Sequence, residues 1–342
     1  MSTVTRPATL DEALSGLDGT GALPRAGGTD LTACLGSGVL ASAPVVDLSG
    51  VGELRGVDWL PDGSARVGAL TGVGELAGDP GLAGAYPALA AVARVLATPQ
   101  VRDAATLGGN LLQRNRCWYL RNPAFDCFQT GGGSCPARSG DHLYGVVVDQ
   151  GPCVAPHPSS LAVALLAHDA TVLVAGAGPS APPDGAGSSA RPAERPVADL
   201  YDGADPARDH VLAPGQVLVS VSLPVPVRGE RSSHRRATGR SRSEWPLVEA
   251  VARLDCGADG AGPVTRAAVA VGGVARTPLR LPGVESALAG ALPGRALGPE
   301  AEDALADLAS LCSPLPSTGY KVDLLRATVR DVLERALGIP PS

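Results

Sequence analysis

Four of the seven cysteines lie in one stretch of the chain, residues 114–155, and thiols grouped in this way suggest a metal centre. They are Cys117, Cys127, Cys135 and Cys153. The sequence between them is rich in glycine, proline, asparagine and serine, so it can wrap around a compact object. Four thiolates suit a tetrahedral zinc ion or an iron–sulfur cluster, and ligand softness does not decide between them. Free or buried thiols are the alternative, and we expect that role for Cys34, Cys256 and Cys312.

Two short segments with paired glycines could bind an anion. The first, Ala26-Gly27-Gly28-Thr29-Asp30-Leu31, follows a predicted strand and begins a predicted helix that Thr29 or Asp30 could cap. The second, Thr106-Leu107-Gly108-Gly109-Asn110, stands just before the cysteine stretch. Adjacent glycines let backbone N–H groups converge on an anion without a clash from Cβ, and a helix N-terminus adds a favourable dipole. The first segment is not a G-x-G-x-x-G fingerprint, and an ordinary tight turn is the alternative.

The elements that must position these segments alternate between helix and strand over the first hundred residues, which is typical of an α/β or α+β fold. A capping box at Thr9 predicts a short helix after it. Apolar patterns predict strands over 44–49 and 65–69 and a helix over 87–97.

After the cysteine stretch, a buried helix over 161–167 is predicted to be capped by Ser159 or Ser160. The segment 176–196 consists largely of glycine, proline, alanine and serine, and we interpret it as an enlarged loop. His142, His157 and His168 are interpreted as turn or surface histidines.

A domain boundary is predicted near residue 226, which divides the chain into residues 1–226 and 227–342. Strands over 248–254 and 264–274, followed by two helices, predict a compact α+β domain at the C-terminus. Six arginines lie between residues 228 and 242. We interpret them as a solvated strand edge or loop, with a phosphate or an acidic partner as the alternative.

Composition excludes several classes of protein. The net charge of −6 argues against nucleic acid as a partner. No apolar run approaches the roughly 20 residues of a membrane span, and the first residues lack the pattern of a signal peptide. An odd number of cysteines fits a reducing compartment. We therefore expect a cytoplasmic protein, exported only in association with a partner that carries a signal.

The two glycine segments together resemble the FAD-binding segments of the flavoprotein (medium) subunits of molybdenum hydroxylases. This family includes the xanthine and carbon monoxide dehydrogenases and the aldehyde oxidoreductases. Val271-Gly272-Gly273-Val274-Ala275 and the helix that begins at Tyr320-Lys321 resemble its C-terminal domain. The resemblance covers nearly the whole chain. It implies an α+β fold with a two-subdomain, PCMH-like FAD-binding domain and a small α+β C-terminal domain.

The resemblance also implies a set of FAD-binding residues. The backbone N–H groups of Gly27 to Leu31 would cradle the pyrophosphate, and Arg25 and Ala26 belong to the same FAD-binding segment. The pyrophosphate and the sugar hydroxyls would be approached from the other side by Thr106, Gly108, Gly109 and Asn110. Independently of the resemblance, Arg114 flanks the first cysteine and could offset the charge of the thiolates or contact a flavin phosphate. Family members commonly have aspartate at the position of Ser160, where it binds a hydroxyl of the flavin side chain. Serine can still form that hydrogen bond, without charge assistance.

Within the family, residues 110–117 and 153–159 resemble a narrower branch, the flavin subunits of periplasmic aldehyde oxidoreductases. There, an inserted loop carries an extra [4Fe-4S] cluster, and the 4-hydroxybenzoyl-CoA reductase flavin subunit has a comparable insertion. The resemblance thus implies that Cys117, Cys127, Cys135 and Cys153 ligate a [4Fe-4S] cluster.

The implied function is that of an electron-transfer flavoprotein subunit in a heterotrimer. Substrate would be oxidised at the molybdenum cofactor of a large subunit, and a small subunit with [2Fe-2S] clusters would pass the electrons to FAD. We predict no catalytic side chain in this chain. Two rival hypotheses remain: a zinc-stabilised structural or assembly protein, and a self-contained flavin oxidase.

Overall fold

Three β-sheets organise the part of the chain that the computed structural model describes, residues 3–176 and 192–340. In chain order, the strands are β1 Val4–Thr5, β2 Leu23–Arg25, β3 Val45–Asp47, β4 Val57–Trp59, β5 Ala65–Gly68, β6 Thr171–Ala175, β7 Ala193–Pro196, β8 Val217–Leu223, β9 Arg231–Ala237, β10 Val248–Asp255, β11 Arg266–Gly272 and β12 Leu279–Arg280. The helices are α1 Leu10–Leu17, α2 Leu31–Gly36, α3 Val73–Gly78, α4 Pro80–Ala85, α5 Pro87–Val95, α6 Pro99–Ala104, α7 Leu107–Leu111, α8 Pro136–Ser139, α9 Ser160–Ala167, α10 Pro282–Ala287, α11 Pro299–Asp307 and α12 Tyr320–Leu337. The predicted α+β class is confirmed.

The first sheet is parallel and small, with β3 between β1 and β2. Helix α1 connects β1 to β2. The Thr9 hydroxyl accepts a hydrogen bond from the Glu12 amide at 3.2 Å and so caps α1 as predicted. Strand β2 leads directly into the first glycine turn, so this sheet fixes the position of that turn.

The second sheet is antiparallel, in the order β4-β5-β8-β6-β7. Helices α3, α5 and α9 pack with it around one hydrophobic core. Strand β7 corrects one prediction, because Ala193–Pro196 lies within the segment interpreted as a loop. It pairs with β6, and that ladder supplies backbone hydrogen bonds that local sequence could not reveal. Residues 177–191 of the same segment lie outside the described residues.

The third sheet is also antiparallel, in the order β12-β11-β10-β9, and has its own hydrophobic core beneath α12. Strand β9 is its edge strand, so the strand-edge interpretation of the arginine-rich segment is confirmed over 231–237. One of these arginines, Arg235, pairs with Asp331 of α12 at 2.6 Å. None of the described helices combines the length and the apolar character needed to cross a membrane.

His168 and His157 are buried, so their interpretation as turn or surface histidines is wrong. His168 follows α9 with 0% exposure, and its ring packs edge-on against Tyr86 at 5.4 Å. Neither of its ring nitrogens has a hydrogen-bond partner in the described structure. Burial, with a smaller contribution from the Arg253 charge, lowers the pKa of His168 well below its ordinary 6.5.

Acidification should therefore destabilise the protein through His168. The folded-state pKa lies below the unfolded-state pKa, so the unfolded chain binds the proton first as the pH falls below 6.5. One such histidine removes about 2 kcal/mol of stability between pH 6.5 and 5. We expect His168→Leu to lose correspondingly less stability over that range, as measured by urea unfolding at pH 7.5 and 5.0. Equal losses in the two proteins would contradict this assignment.

Candidate functional site

The first glycine turn presents unpaired backbone donors. It connects β2 to α2, and Gly28 adopts a left-handed conformation with φ of +72°. The amides of residues 27–31 donate to no acceptor in the described ranges. The guanidinium of Arg25 lies beside Gly28 and pairs with Asp47 at 2.9 Å. Consecutive free N–H groups at a turn are the donors that a phosphate group requires.

Gly27 brings the two glycine segments together. A Cβ atom at this position would lie 1.7 Å from the carbonyl oxygen of Ala104, which is the last residue of α6. The first turn therefore packs directly against the backbone that leads into Thr106. This close approach is possible only for glycine.

The two glycines of the second segment occupy positions with different physical constraints. A Cβ on Gly108 would lie 2.9 Å from the Cβ of Ala69, and the Gly108 amide donates to the Ala69 carbonyl at 2.8 Å. A Cβ on Gly109 would lie 2.9 Å from Oγ1 of Thr106 and 3.9 Å from the Cβ of Ala26 in the first turn. The Thr106 hydroxyl caps α7 by accepting from the Gly109 amide at 3.2 Å. Packing thus requires glycine at 108, whereas Gly109 faces the first turn.

Ser159 links the second segment to α9 and was not among the predicted site residues. Its hydroxyl donates to Oδ1 of Asn110 at 2.6 Å and accepts from the Ala162 amide at 3.0 Å as the cap of α9. Ser160, the predicted flavin contact, is the first residue of α9 and is buried. The sequence offered Ser159 only as a cap, because its partner Asn110 lies 49 positions away.

Asp30 occupies the N-cap position of α2 as predicted, but it makes no side-chain cap hydrogen bond to the helix. The carboxylate of Asp30 instead accepts hydrogen bonds from the start of the cysteine stretch. It accepts from the Arg114 amide at 2.8 Å, from Arg116 at 2.5 Å and from Arg121 at 2.9 Å. In the bonds from Arg116 and Arg121 both partners are charged, whereas a cap bond would pair the carboxylate with an uncharged amide. Asp30 therefore ties the first glycine turn to the cysteine stretch.

Asp209 ties the same stretch to the C-terminal region and was also missed from sequence. Its carboxylate accepts from Asn115 at 2.9 and 3.1 Å, from Gln129 at 2.9 Å and from Arg276 at 3.3 Å. Burial alone would raise the pKa of Asp209, but the Asn115 hydrogen bonds and the charge of Arg276 lower it. The Arg114 guanidinium lies 3.9 Å from this carboxylate. The arginines that flank the first cysteine thus have carboxylate partners.

The four cysteines of the stretch are partly exposed and only partly assembled. The neighbouring thiols of Cys135 and Cys153 interact with each other, which lowers the pKa of Cys135 and raises the pKa of Cys153. Cys117 lies within electrostatic range of Cys127 and Cys135. Among the described residues, no three or more histidine, cysteine, aspartate or glutamate side chains form a group that could hold a metal ion. The donor chemistry fits a thiolate-bound metal, but the structure does not bring all four sulfurs into one shell.

The other three cysteines behave as predicted. Cys34 and Cys256 are buried, and Cys312 is partly buried with its thiol donating to the Leu308 carbonyl. They are structural thiols.

A cavity of about 560 Å³ lies between the cysteine stretch and the C-terminal region. This volume is in the range of ligand pockets. Its lining includes Cys117, Trp118, Tyr144, His157, Trp245 and Lys321. Burial lowers the pKa of His157 to about 3, so its ring is neutral at physiological pH. Pro158 lines the cavity, and the next residue, Ser159, is hydrogen-bonded to Asn110, so this part of the wall is connected to the second glycine segment.

Two family models together match most of the length of the chain. Residues 1–226 match the model of the FAD binding domain in molybdopterin dehydrogenase. Residues 233–336 match the model of the CO dehydrogenase flavoprotein C-terminal domain.

Individual relatives are similar in sequence and in structure. The aldehyde oxidoreductase FAD-binding subunit PaoB of Escherichia coli (strain K12) is 30% identical over 316 residues, which cover 91% of this chain and 90% of the relative. The putative xanthine dehydrogenase FAD-binding subunit XdhB of the same strain is 40% identical over 107 residues, 31% of this chain and 37% of that one. Reconstituted CO dehydrogenase from Oligotropha carboxidovorans shares the fold, with a TM-score of 0.72 at 21% identity over 99% of both chains. Quinoline 2-oxidoreductase from Pseudomonas putida 86 gives the same TM-score at 22% identity over 99% of this chain and 98% of the other.

Proposed function

The chain belongs to the family of FAD-binding oxidoreductase subunits of molybdenum hydroxylases, and from this premise we propose that it is the electron-transfer flavoprotein subunit of a heterotrimeric enzyme. The observation that carries the proposal is the pair of glycine segments held side by side by Gly27. Free amides on one segment face a second segment whose capped helix, α7, is anchored to Ser159. This arrangement fits a dinucleotide pyrophosphate.

FAD would be held by residues of both segments. The amides of residues 27–31 would bind the pyrophosphate, with Arg25 beside them. Thr106, Gly109 and Asn110 would approach from the other side, with Gly108 allowing α7 to pack closely beneath them. Ser160 would offer a hydroxyl to the flavin side chain, and Arg114 would add positive charge nearby. When bound, FAD supplies the redox chemistry, and the protein supplies placement and electrostatics.

We also propose that the flavin ring enters the 560 Å³ cavity. Trp118 and Trp245 line the cavity, and their rings present apolar surface to a planar ligand. Trp118 makes an edge contact with Tyr144 at 5.7 Å, and Arg116 lies over the Trp245 ring at 4.8 Å, so both tryptophans are braced. Both indole side chains are about half exposed, 47% for Trp118 and 54% for Trp245, and a bound flavin ring would cover part of this apolar surface. The lowered pKa of the buried His157 makes this side chain a weak base.

For the cysteine stretch, we propose that Cys117, Cys127, Cys135 and Cys153 bind a [4Fe-4S] cluster. Two observations support this assignment: Cys135 and Cys153 are already in contact, and Asp30 and Asp209 hold the start of the stretch in place. Because metal binding is coupled to the ordering of its ligands, cluster insertion would complete the shell.

The proposed partners are a large molybdenum-cofactor subunit, where substrate is oxidised, and a small [2Fe-2S] subunit that delivers electrons to FAD. The similar proteins are themselves FAD-binding subunits, which supports a multi-subunit assembly. The complex would pass its electrons to an external acceptor and would be cytoplasmic unless a partner carries an export signal.

Purification of the native complex tests the proposal. We expect the chain to copurify with two further subunits and to contain one FAD, with the visible bands of oxidised flavin and a broad brown shoulder. A colourless protein that contains zinc would support a structural role instead. Turnover of an aldehyde or a purine by the isolated chain would favour a self-contained oxidase.

A further inference from the structure

Lys321 is the only lysine in the chain, and it is placed on the wall of the cavity. It stands at the start of α12, and only 1% of its surface is exposed. Long cationic side chains normally keep their charged end in water. A fully buried lysine at a ligand cavity therefore calls for a physical reason.

The ammonium group has hydrogen-bond acceptors but no counter-charge among the described residues. It donates to the carbonyl oxygens of Tyr144 at 3.0 Å and Gly273 at 2.9 Å. An ammonium has three N–H donors, so two carbonyls leave one donor unused. Burial lowers the pKa of Lys321 to about 7, which shows that the cation is disfavoured at this position in the absence of an anion.

A purely structural role does not require the charge. Through these two carbonyl contacts, Lys321 connects the cysteine stretch at Tyr144 to the C-terminal region at Gly273. The Tyr320 hydroxyl makes a similar contact with the Leu143 carbonyl at 3.0 Å. A neutral side-chain amide could donate two hydrogen bonds to the same carbonyls. The connection between these two regions therefore does not require the positive charge of Lys321.

We propose that Lys321 stabilises the negative charge of the reduced flavin ring and so raises the reduction potential of the bound FAD. The inference rests on the proposed function and on the placement of the ring in the cavity. Two electrons from the small subunit and one proton convert the neutral oxidised ring into an anion. An ammonium on the cavity wall favours that anion over the neutral ring, and because Lys321 is itself buried, its charge is less screened by water than that of a surface lysine.

Three substitutions in the flavin-loaded chain separate charge from hydrogen bonding. Lys321→Gln keeps the donors and removes the charge, Lys321→Met removes both, and Lys321→Arg keeps the charge. The matched control is Arg326→Gln, on the exposed side of the same helix. Reduction of the bound flavin is measured at equilibrium against a dye of known potential, with circular dichroism as the test of folding.

We expect Lys321→Gln and Lys321→Met to shift the reduction equilibrium at least tenfold towards oxidised flavin, about 30 mV for a two-electron couple. Lys321→Arg and the Arg326 variant should stay near wild type. A wild-type equilibrium in folded Lys321→Gln would overturn the inference, even if Lys321→Met failed to fold, and would leave the proposed function intact. A wild-type chain that binds no FAD would overturn both.

Discussion

Gly27→Ala should reduce the affinity for FAD at least a hundredfold, which is a loss of about 2.8 kcal/mol of binding free energy. The added Cβ would lie 1.7 Å from the Ala104 carbonyl oxygen, and because that atom belongs to the backbone it cannot rotate away. The first turn must then move away from Thr106, so the free amides and the second segment can no longer face one ligand. Flavin content after purification and titration of the apoprotein with FAD measure the loss.

Helix α2, which follows the first glycine turn, offers the control, Gly36→Ala. A Cβ on Gly36 meets nothing within 4 Å, and α2 ends at this residue. Alanine favours helix over glycine by up to about 1 kcal/mol, so this variant should bind FAD normally and be slightly more stable. Wild-type affinity in Gly27→Ala would show that the two segments do not form one FAD site.

Cys135→Ser is expected to remove about four irons per chain, together with the brown shoulder of the spectrum, because a serine hydroxyl does not replace a thiolate in a cluster of this type. Cys135 belongs to neither glycine segment and does not line the cavity. Flavin should therefore be retained at least in part. Iron and sulfide analysis and the absorption spectrum provide the measurement.

Cys312→Ser is the matched control for this experiment. Cys312 is partly buried like Cys135, and its thiol already acts as a donor to the Leu308 carbonyl, which a serine hydroxyl can replace. Its iron content should equal that of wild type. Unchanged iron in Cys135→Ser would refute the ligand assignment, and loss of zinc instead of iron would support the structural alternative.

The features found from sequence alone are those that act through the local backbone. Phosphate recognition at a glycine turn uses consecutive amides, so the segment from Ala26 to Leu31 was visible as a unit. The group of four cysteines within residues 114–155 was also visible, because its members lie close together in the sequence. Apolar periodicity placed the main helices and strands, because that periodicity follows from which face each element buries.

Asp30 shows where local reasoning ends. A side-chain oxygen at the start of α2 can cap the helix or can bind distant arginines, and the sequence contains both possibilities. Only the approach of residues 114–121 decides between them, since it brings two guanidinium groups to the carboxylate. The edge strand β7 is a similar case, because its pairing partner β6 lies across the segment 177–191.

By itself, the sequence determined the family, the α+β class, the two glycine segments and the group of four cysteines. Tertiary structure alone showed that Gly27 lets the two segments pack together and that Lys321 lies on a cavity wall. It also showed that Ser159 holds the second segment from 49 positions away and that Asp209 holds the cysteine stretch from 94 positions away. The physical reason is the range of the interactions. Turns and caps are made by neighbours in the chain, whereas close packing, buried ion pairs and cavities are made by residues that meet only when the chain has folded.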